Sequence, residues 1–441
     1  MNASWRAWTG FLAVATLAVV TFPSVAAAAG YLEPPISREF FGQFDGRTYE
    51  LCKGRFVGRT TTGNYRVPYE LTRLLHPEEG NRSVLLELPH YRLGCTWARD
   101  YGLSEVLFGR MGVQHASVGY STAYADTPPQ TGRFLFLTPR PGDPDPLYIM
   151  GGKRDEGGRT DDEILVDFAK ALRDDPLAQV LLGTVERVYA SGVSDSSYPL
   201  KRILNGGFGV FDLSIISGTD STLNPQDAMD VGKVTGKVIV RESELEVVTW
   251  RAALLRDRHD HPSMYREYEV AGAPHSTDVP CLAPGFPLAF LFTSPTSPID
   301  WAPIERALLL AGDRWVRLGE EPPPSVALEG AGNRVVRDAL GNATGGVRLP
   351  AVELGEATFK VGFVGTVNNP RSIGNAGFYQ DFDSYFRDFG EATHDLVRAG
   401  FLLPQDARAL IERAKLSPPN TFTQNYLDKA LWDAACGRKN E

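Results

Sequence analysis

Residues 187–197 read RVYASGVSDSS, and they decide how the rest of the chain is to be read. An apolar, β-prone run reaches Gly192-Val193-Ser194-Asp195-Ser196, and a helix is expected from about 198 to 204, with Pro199 in its first turn where a missing N–H costs nothing. A serine at such a strand-to-helix turn has its oxygen held out from the backbone, and the small Gly192 lets the chain fold sharply beneath it. Ser191, Ser196 and Ser197 crowd the same turn, so the choice of Ser194 rests on register.

Working outward, strands and helices alternate. Upstream, 82–89 (RSVLLELP) is a compact apolar strand, 98–111 has helical spacing, and 114–122 is again β-rich. Residues 160–175 form the best-marked helix: Thr160 can cap it, acids fill its first turn, and Ile164, Leu165, Phe168 and Leu172 recur on one face. A second helix is expected over 177–184. Downstream, 234–240 and 267–270 read as strands and 304–318 as a helix. This alternation predicts an α/β class with a mostly parallel sheet and helices on both faces. Gly- and Thr-punctuated segments at 54–65 and 67–75 predict antiparallel strands ahead of it. After Pro322–Pro324, short strands at 347–350 and 358–364 precede a helical end over 381–415. The expected division is a signal peptide over 1–29, a core over 30–320, and an extension over 321–441 that packs on the core as a lid or a buttress.

The signal peptide is read from Arg6, an apolar run at 10–22 and small residues at 26–29 that offer A-x-A cleavage sites. The run is shorter than the roughly 20 residues a spanning helix needs, so a secreted product, periplasmic or extracellular, without stable membrane insertion is expected. Export makes Cys52, Cys95, Cys281 and Cys436 a set for two disulfides whose pairing the sequence does not assign. The formal charge of −9 and the lack of a dense Lys/Arg run argue against a nucleic-acid partner.

Acyl transfer from a serine needs a base and an acid that orients it, following the nucleophile in the order Ser, acid, His. Residues 238–247 (VIVRESELEV) run from an apolar strand into an acidic turn where Glu242, Glu244 and Glu246 share one parity. Glu246 is preferred because it falls where the loop should begin, with Glu244 as the fallback. His275 ends the small-residue loop GAPH just past the strand 267–270, and an imidazole with an unperturbed pKa of about 6.5 suits proton shuttling. The Asp195 N–H is the natural first oxyanion donor. The second is expected from the turn after RSVLLELP, Tyr91 first and His90 next. The Asp257-Arg258-His259-Asp260-His261 run has the look of a metal site but reads better as a solvated loop, so no metal or organic cofactor is expected.

These segments together resemble the secreted branch of bacterial alpha/beta hydrolase domain-containing proteins, an esterase-like family with a G-x-S-Q-S-G elbow. The likeness runs through RSVLLELP with HASVGYST, the elbow followed by LNGGF, ESELEV, EYEVAGAPH, ALLLAGDRWVRLGEEPPP and RDALGNATGGVRLP. The resemblance implies an α/β-hydrolase fold and a triad of Ser194, Glu246 and His275 acting on a small-molecule or polymeric ester. Two positions depart from the pattern: Asp195 stands for the usual Gln and Ser197 for the usual Gly. A carboxylate beside a developing oxyanion opposes catalysis unless its side chain points away. An acyltransferase with the same triad and an inactive binding protein on the same fold are the rival expectations.

Overall fold

The computed structural model describes residues 30–89, 99–120, 159–275, 299–362, 366–368, 371 and 378–416. Ten strands form one sheet: β1 (Tyr31–Leu32), β2 (Ser37–Phe44), β3 (Arg47–Thr60), β4 (Gly63–Leu74), β5 (Ser83–Leu88), β6 (Gln114–Val118), β7 (Arg187–Val193), β8 (Leu213–Ser217), β9 (Lys237–Ser243) and β10 (Tyr265–Val270). The order is β1-β3-β4-β6-β5-β7-β8-β9-β10, with β2 paired to β3. From β6 to β10 every pairing is parallel, and the N-terminal strands through the β4–β6 pair are antiparallel. The expected antiparallel entrance and parallel body are both present. One difference is that the stretch 54–65 is not a single strand, because the chain reverses between Thr60 and Gly63 to form the β3–β4 hairpin.

The parallel strands are buried over nearly their whole length, and the central ones carry apolar residues on both faces rather than alternating with polar ones. Val84, Leu86, Val188, Ala190, Val238 and Val240 meet helices α2 (Arg159–Asp174) and α4 (Ser197–Gly206) through Ile164, Phe168, Leu172, Leu200 and Ile203. Alternate positions on the same strands, Leu85, Tyr189, Leu213, Ile215 and Ile239, belong to the opposite layer with Leu107 and Phe108 of α1 (Arg99–Met111). A two-residue side-chain period therefore sorts the core into two layers. Helix α3 (Pro176–Leu182) is capped by Asp175, whose carboxylate accepts the Leu177 and Ala178 N–H groups. The expected helices thus form with their ends shifted by a few residues. Strand β8 and the short helix α5 (Pro225–Asp230) were not anticipated, because LSIIS is too short to show a period.

Past β10, helix α7 (Ala302–Leu318) adds Ile304, Leu308, Leu309 and Trp315 to the second layer. The chain then returns to the sheet edge, where Val326 bridges to Tyr268 and Val347 to Val270 in parallel fashion. Residue 347 therefore lies in a bridge, and 350 starts the short helix α8 (Pro350–Glu353), where a strand had been expected. Two helices, α9 (Phe382–Arg398) and α10 (Pro404–Leu416), end the described chain. Among the described residues no helix is long and apolar enough to cross a membrane. Cys52 is a buried free thiol, pushed up to about 11 by burial, and it donates to Glu50 at 3.2 Å. It thus gives no support to two disulfides; Cys95, Cys281 and Cys436 lie outside the described residues, as do 1–29.

Candidate active site

Strand β7 ends at Val193, and Ser194 is in the left-handed region with φ 55°. Few non-glycine residues adopt that conformation, and at the end of a central strand it turns the chain abruptly into α4. The turn is close enough that a Cβ on Gly192 would stand 2.5 Å from the Ser196 carbonyl oxygen, so no larger residue fits there. The surrounding serines are occupied. Ser196 Oγ accepts the Val193 N–H at 2.9 Å, and Ser197 Oγ donates to the Ser194 carbonyl at 2.6 Å and lies 2.9 Å from Thr219 Oγ1. The buried Ser191 donates to Asp100. Ser194 alone of the four is half-buried at the apex of the turn.

The other two expected residues meet. His275 Nδ1 lies 2.6 Å from Glu246 Oε1, with Glu246 fully buried and His275 6% exposed. Strand β9 stops at Ser243, whose hydroxyl accepts the Leu245 N–H and starts helix α6 (Glu244–Thr249). Glu246 is the third residue of that helix and its Oε2 accepts the Ser243 N–H at 2.7 Å, closing a capping box. One carboxylate oxygen holds the helix start and the other faces the imidazole. Because the chain is helical from Glu244, the shared strand parity of the three glutamates does not hold. Glu244 instead accepts the Gly272 N–H at 2.7 Å and pairs with Arg337. Glu242, still on β9, accepts the Thr219 N–H at 3.1 Å. Burial and the neighbouring Glu246 carboxylate push Glu242 well above the usual carboxylate range.

The turn at Ser194 and the histidine come together at Gly218, which follows β8. A Cβ added there would stand 3.0 Å from His275 Cε1 and 3.7 Å from Ser194 N, and φ is +58°. The indole of Trp250 packs on the imidazole with ring centroids 5.0 Å apart. The His275 N–H reaches the Gly362 carbonyl at 3.4 Å, so the C-terminal residues back the loop that carries it. Gly218, Trp250 and the Ser243 cap were missed by sequence reading. The only local trace of Gly218 is a glycine directly after an apolar run.

Beneath the turn, Arg241 Nη2 grips Asp100 at 2.9 Å and its Nε donates to Ser217 at 2.8 Å, tying α1, β8 and β9 together. Buried Lys201 of α4 holds Asp220 at 3.2 Å, with burial pulling the amine down. Asp195 is half-buried in the turn immediately after Ser194. Tyr91 and His90 lie outside the described residues. The 257–261 run does not gather a metal: His261 meets Asp230 at 2.7 Å, His259 lies exposed beside Asp257, and Arg258 pairs with Asp227 and Asp230. Among the described residues no group of His, Cys, Asp and Glu side chains could hold one.

No curated protein matches this chain. Among solved structures it is similar to a lidless a/b serine hydrolase, XC6422, from Xanthomonas campestris, with 9% identity, 52% of this chain and 86% of that chain covered, and a TM-score of 0.28. An S-formylglutathione hydrolase from Agrobacterium tumefaciens gives 9% identity, 54% and 91% coverage, and a TM-score of 0.33. A cold-adapted esterase from an Arctic intertidal metagenomic library gives 12% identity, 58% and 94% coverage, and a TM-score of 0.30. With identities and scores this low, the assignment rests on the family model, which matches residues 141–412 and therefore runs from ahead of α2 into α10, taking in Ser194, Glu246 and His275. On that match, and with a mostly parallel sheet whose strand β7 runs into the turn at Ser194, the chain belongs to the alpha/beta hydrolase domain family.

Proposed function

We propose that the protein is a secreted serine hydrolase that cleaves a carboxylic ester through Ser194, His275 and Glu246. The observation that carries this reading is the 2.6 Å contact of His275 with Glu246 beside a serine held in the left-handed region. In the mechanism, Ser194 Oγ attacks the ester carbonyl carbon while His275 Nε2 takes its proton. Glu246 keeps the Nδ1 proton in place and stabilises the imidazolium. The tetrahedral oxyanion is held by the Asp195 N–H and by the Tyr91 N–H. The carbon–oxygen bond to the alcohol breaks as His275 returns the proton to the leaving alkoxide. Water, deprotonated by His275, then frees the acid and restores Ser194. No cofactor takes part.

The experiment is hydrolysis of p-nitrophenyl acetate and butyrate by the protein and by its Ser194→Ala variant, with folding checked by circular dichroism. A fall of about 10³-fold or more is expected, because triad members act as a unit. Activity that survives the substitution refutes Ser194 as nucleophile, and inactivity of both proteins toward a broad ester panel refutes the esterase reading. Recovery of the mature protein outside the cytoplasm with an N-terminus near Gly30 tests export.

A further inference from the structure

We infer that Trp250 is a positioning residue for His275, an inference that rests on reading His275 as the general base. Helix α6 is only six residues long, starts at the Ser243 cap and is followed by Trp250, whose N–H donates to the Glu246 carbonyl at 2.9 Å. Residues four apart on a helix lie over one another on one face. A single helical turn therefore brings both the carboxylate and the indole to the same imidazole: Glu246 at 2.6 Å from Nδ1, and Trp250 with ring centroids 5.0 Å apart and planes at 69°. That is the edge-to-face arrangement aromatic rings prefer, and such a pair contributes beyond the area it buries.

The hydrogen bond alone does not fix the ring. It anchors one nitrogen, but the terminal torsion of a histidine is broad, so the ring can tilt about that anchor and swing Nε2 away from Ser194. On the Cε1 side lies Gly218, where an added Cβ would come to a tight 3.0 Å from the ring. Trp250 supplies a second wall. A base that alternates between neutral and charged forms needs its free nitrogen aimed the same way in both, and a misplacement of about 1 Å can cost on the order of 10²-fold in rate. Trp250 is half-buried and follows the last residue of α6, so its ring can be altered without opening the core.

The test uses the full chain with Trp250→Phe, Trp250→Leu and Trp250→Ala. Two readouts are taken: kcat and KM toward p-nitrophenyl butyrate, and the imidazole C–H proton signals of His275, assigned by comparison with His275→Gln. The expected result is a kcat lower by roughly 10- to 100-fold in the Ala and Leu variants, with KM within about threefold and most of the rate restored by Phe. The His275 ring signals should lose their ring-current displacement in the Leu variant and keep part of it in the Phe variant. A raised KM with unchanged kcat would make the indole a substrate wall and overturn the inference, as would an unchanged kcat in all three. If the unmodified protein turns over no ester, the functional reading fails separately and the spectra decide alone. His275 signals that differ between the unmodified protein and the Leu variant support the positioning contact, and unchanged signals overturn it. Should the Ala variant fail to fold, the Phe and Leu pair carries the comparison.

Discussion

Glu246 serves two partners at once: Oε1 faces His275 Nδ1 at 2.6 Å while Oε2 accepts the Ser243 N–H at 2.7 Å. The carboxylate that faces the imidazole is thereby held by the start of its own helix. Glu244, two residues away, is committed to Gly272 and Arg337. Glu246→Gln should lower kcat by about 10³- to 10⁴-fold, because an amide supports the wrong imidazole tautomer. Glu244→Gln should leave kcat within about threefold. Ester kinetics of the two variants, beside a circular-dichroism check of folding, read both effects. A larger kinetic loss in the Glu244 variant would exchange the two roles.

Ser194 occupies φ 55°, a region where a Cβ costs roughly 1–2 kcal/mol and glycine costs little. Ser194→Gly and Ser194→Ala should both be inactive. The Gly variant should be the more stable of the two by about 1 kcal/mol, read as a higher melting temperature. Equal stability would mean the turn relaxes on losing the hydroxyl.

Gly218 lies at φ +58°, and a Cβ there would come to 3.0 Å from His275 Cε1. Gly218→Ala should therefore displace the imidazole and carry local backbone strain. A loss of on the order of 10²-fold in kcat with little change in KM is expected. Activity retained at the parent level would show that the ring has room to yield.

Glu356 is buried beside helix α9, where Tyr385 donates to it at 2.5 Å, and burial pushes its carboxyl up to about 7. A carboxyl raised in the folded state favours folding when protonated. Its contribution is full below about pH 4.5 and is lost as pH rises toward about 7. At about 1.4 kcal/mol per pH unit, ionising Glu356 costs the folded state about 3 kcal/mol. Glu356→Gln keeps an acceptor for Tyr385 and removes the titration. Its stability relative to the parent should rise between pH 5 and pH 8, measured by urea unfolding. A difference that stays flat with pH would contradict this account.

Much of the site was legible in the chain because its signals are local. A β-prone run, a glycine two residues before a serine and a helix start after it are all covalently adjacent, so Gly192, Ser194 and α4 could be read together. The order of Ser194, an acid and His275 followed from strands marked by their own apolar runs. The choice among Glu242, Glu244 and Glu246 rested on less. Strand parity does not separate them, and it ceases to apply at Ser243, where a side-chain cap turns the chain into a helix. Strand β8 escaped notice because five residues show no period, and Gly218 escaped with it.

The sequence by itself determined the strand–turn–helix order and the two-layer core implied by continuous apolar strands, and it brought Ser194 and His275 forward as candidates. Local hydrogen-bonding preference and side-chain period specify those features without reference to distant residues. Only the tertiary structure decided which carboxylate reaches the imidazole, that Ser191, Ser196 and Ser197 turn inward, and that Gly218 and Trp250 flank His275. It also decided that His259 and His261 go to different partners. Those outcomes depend on where parallel strands end relative to one another in the sheet. That relation is set by packing both faces of β7, β8, β9 and β10, and no single stretch of the chain contains it.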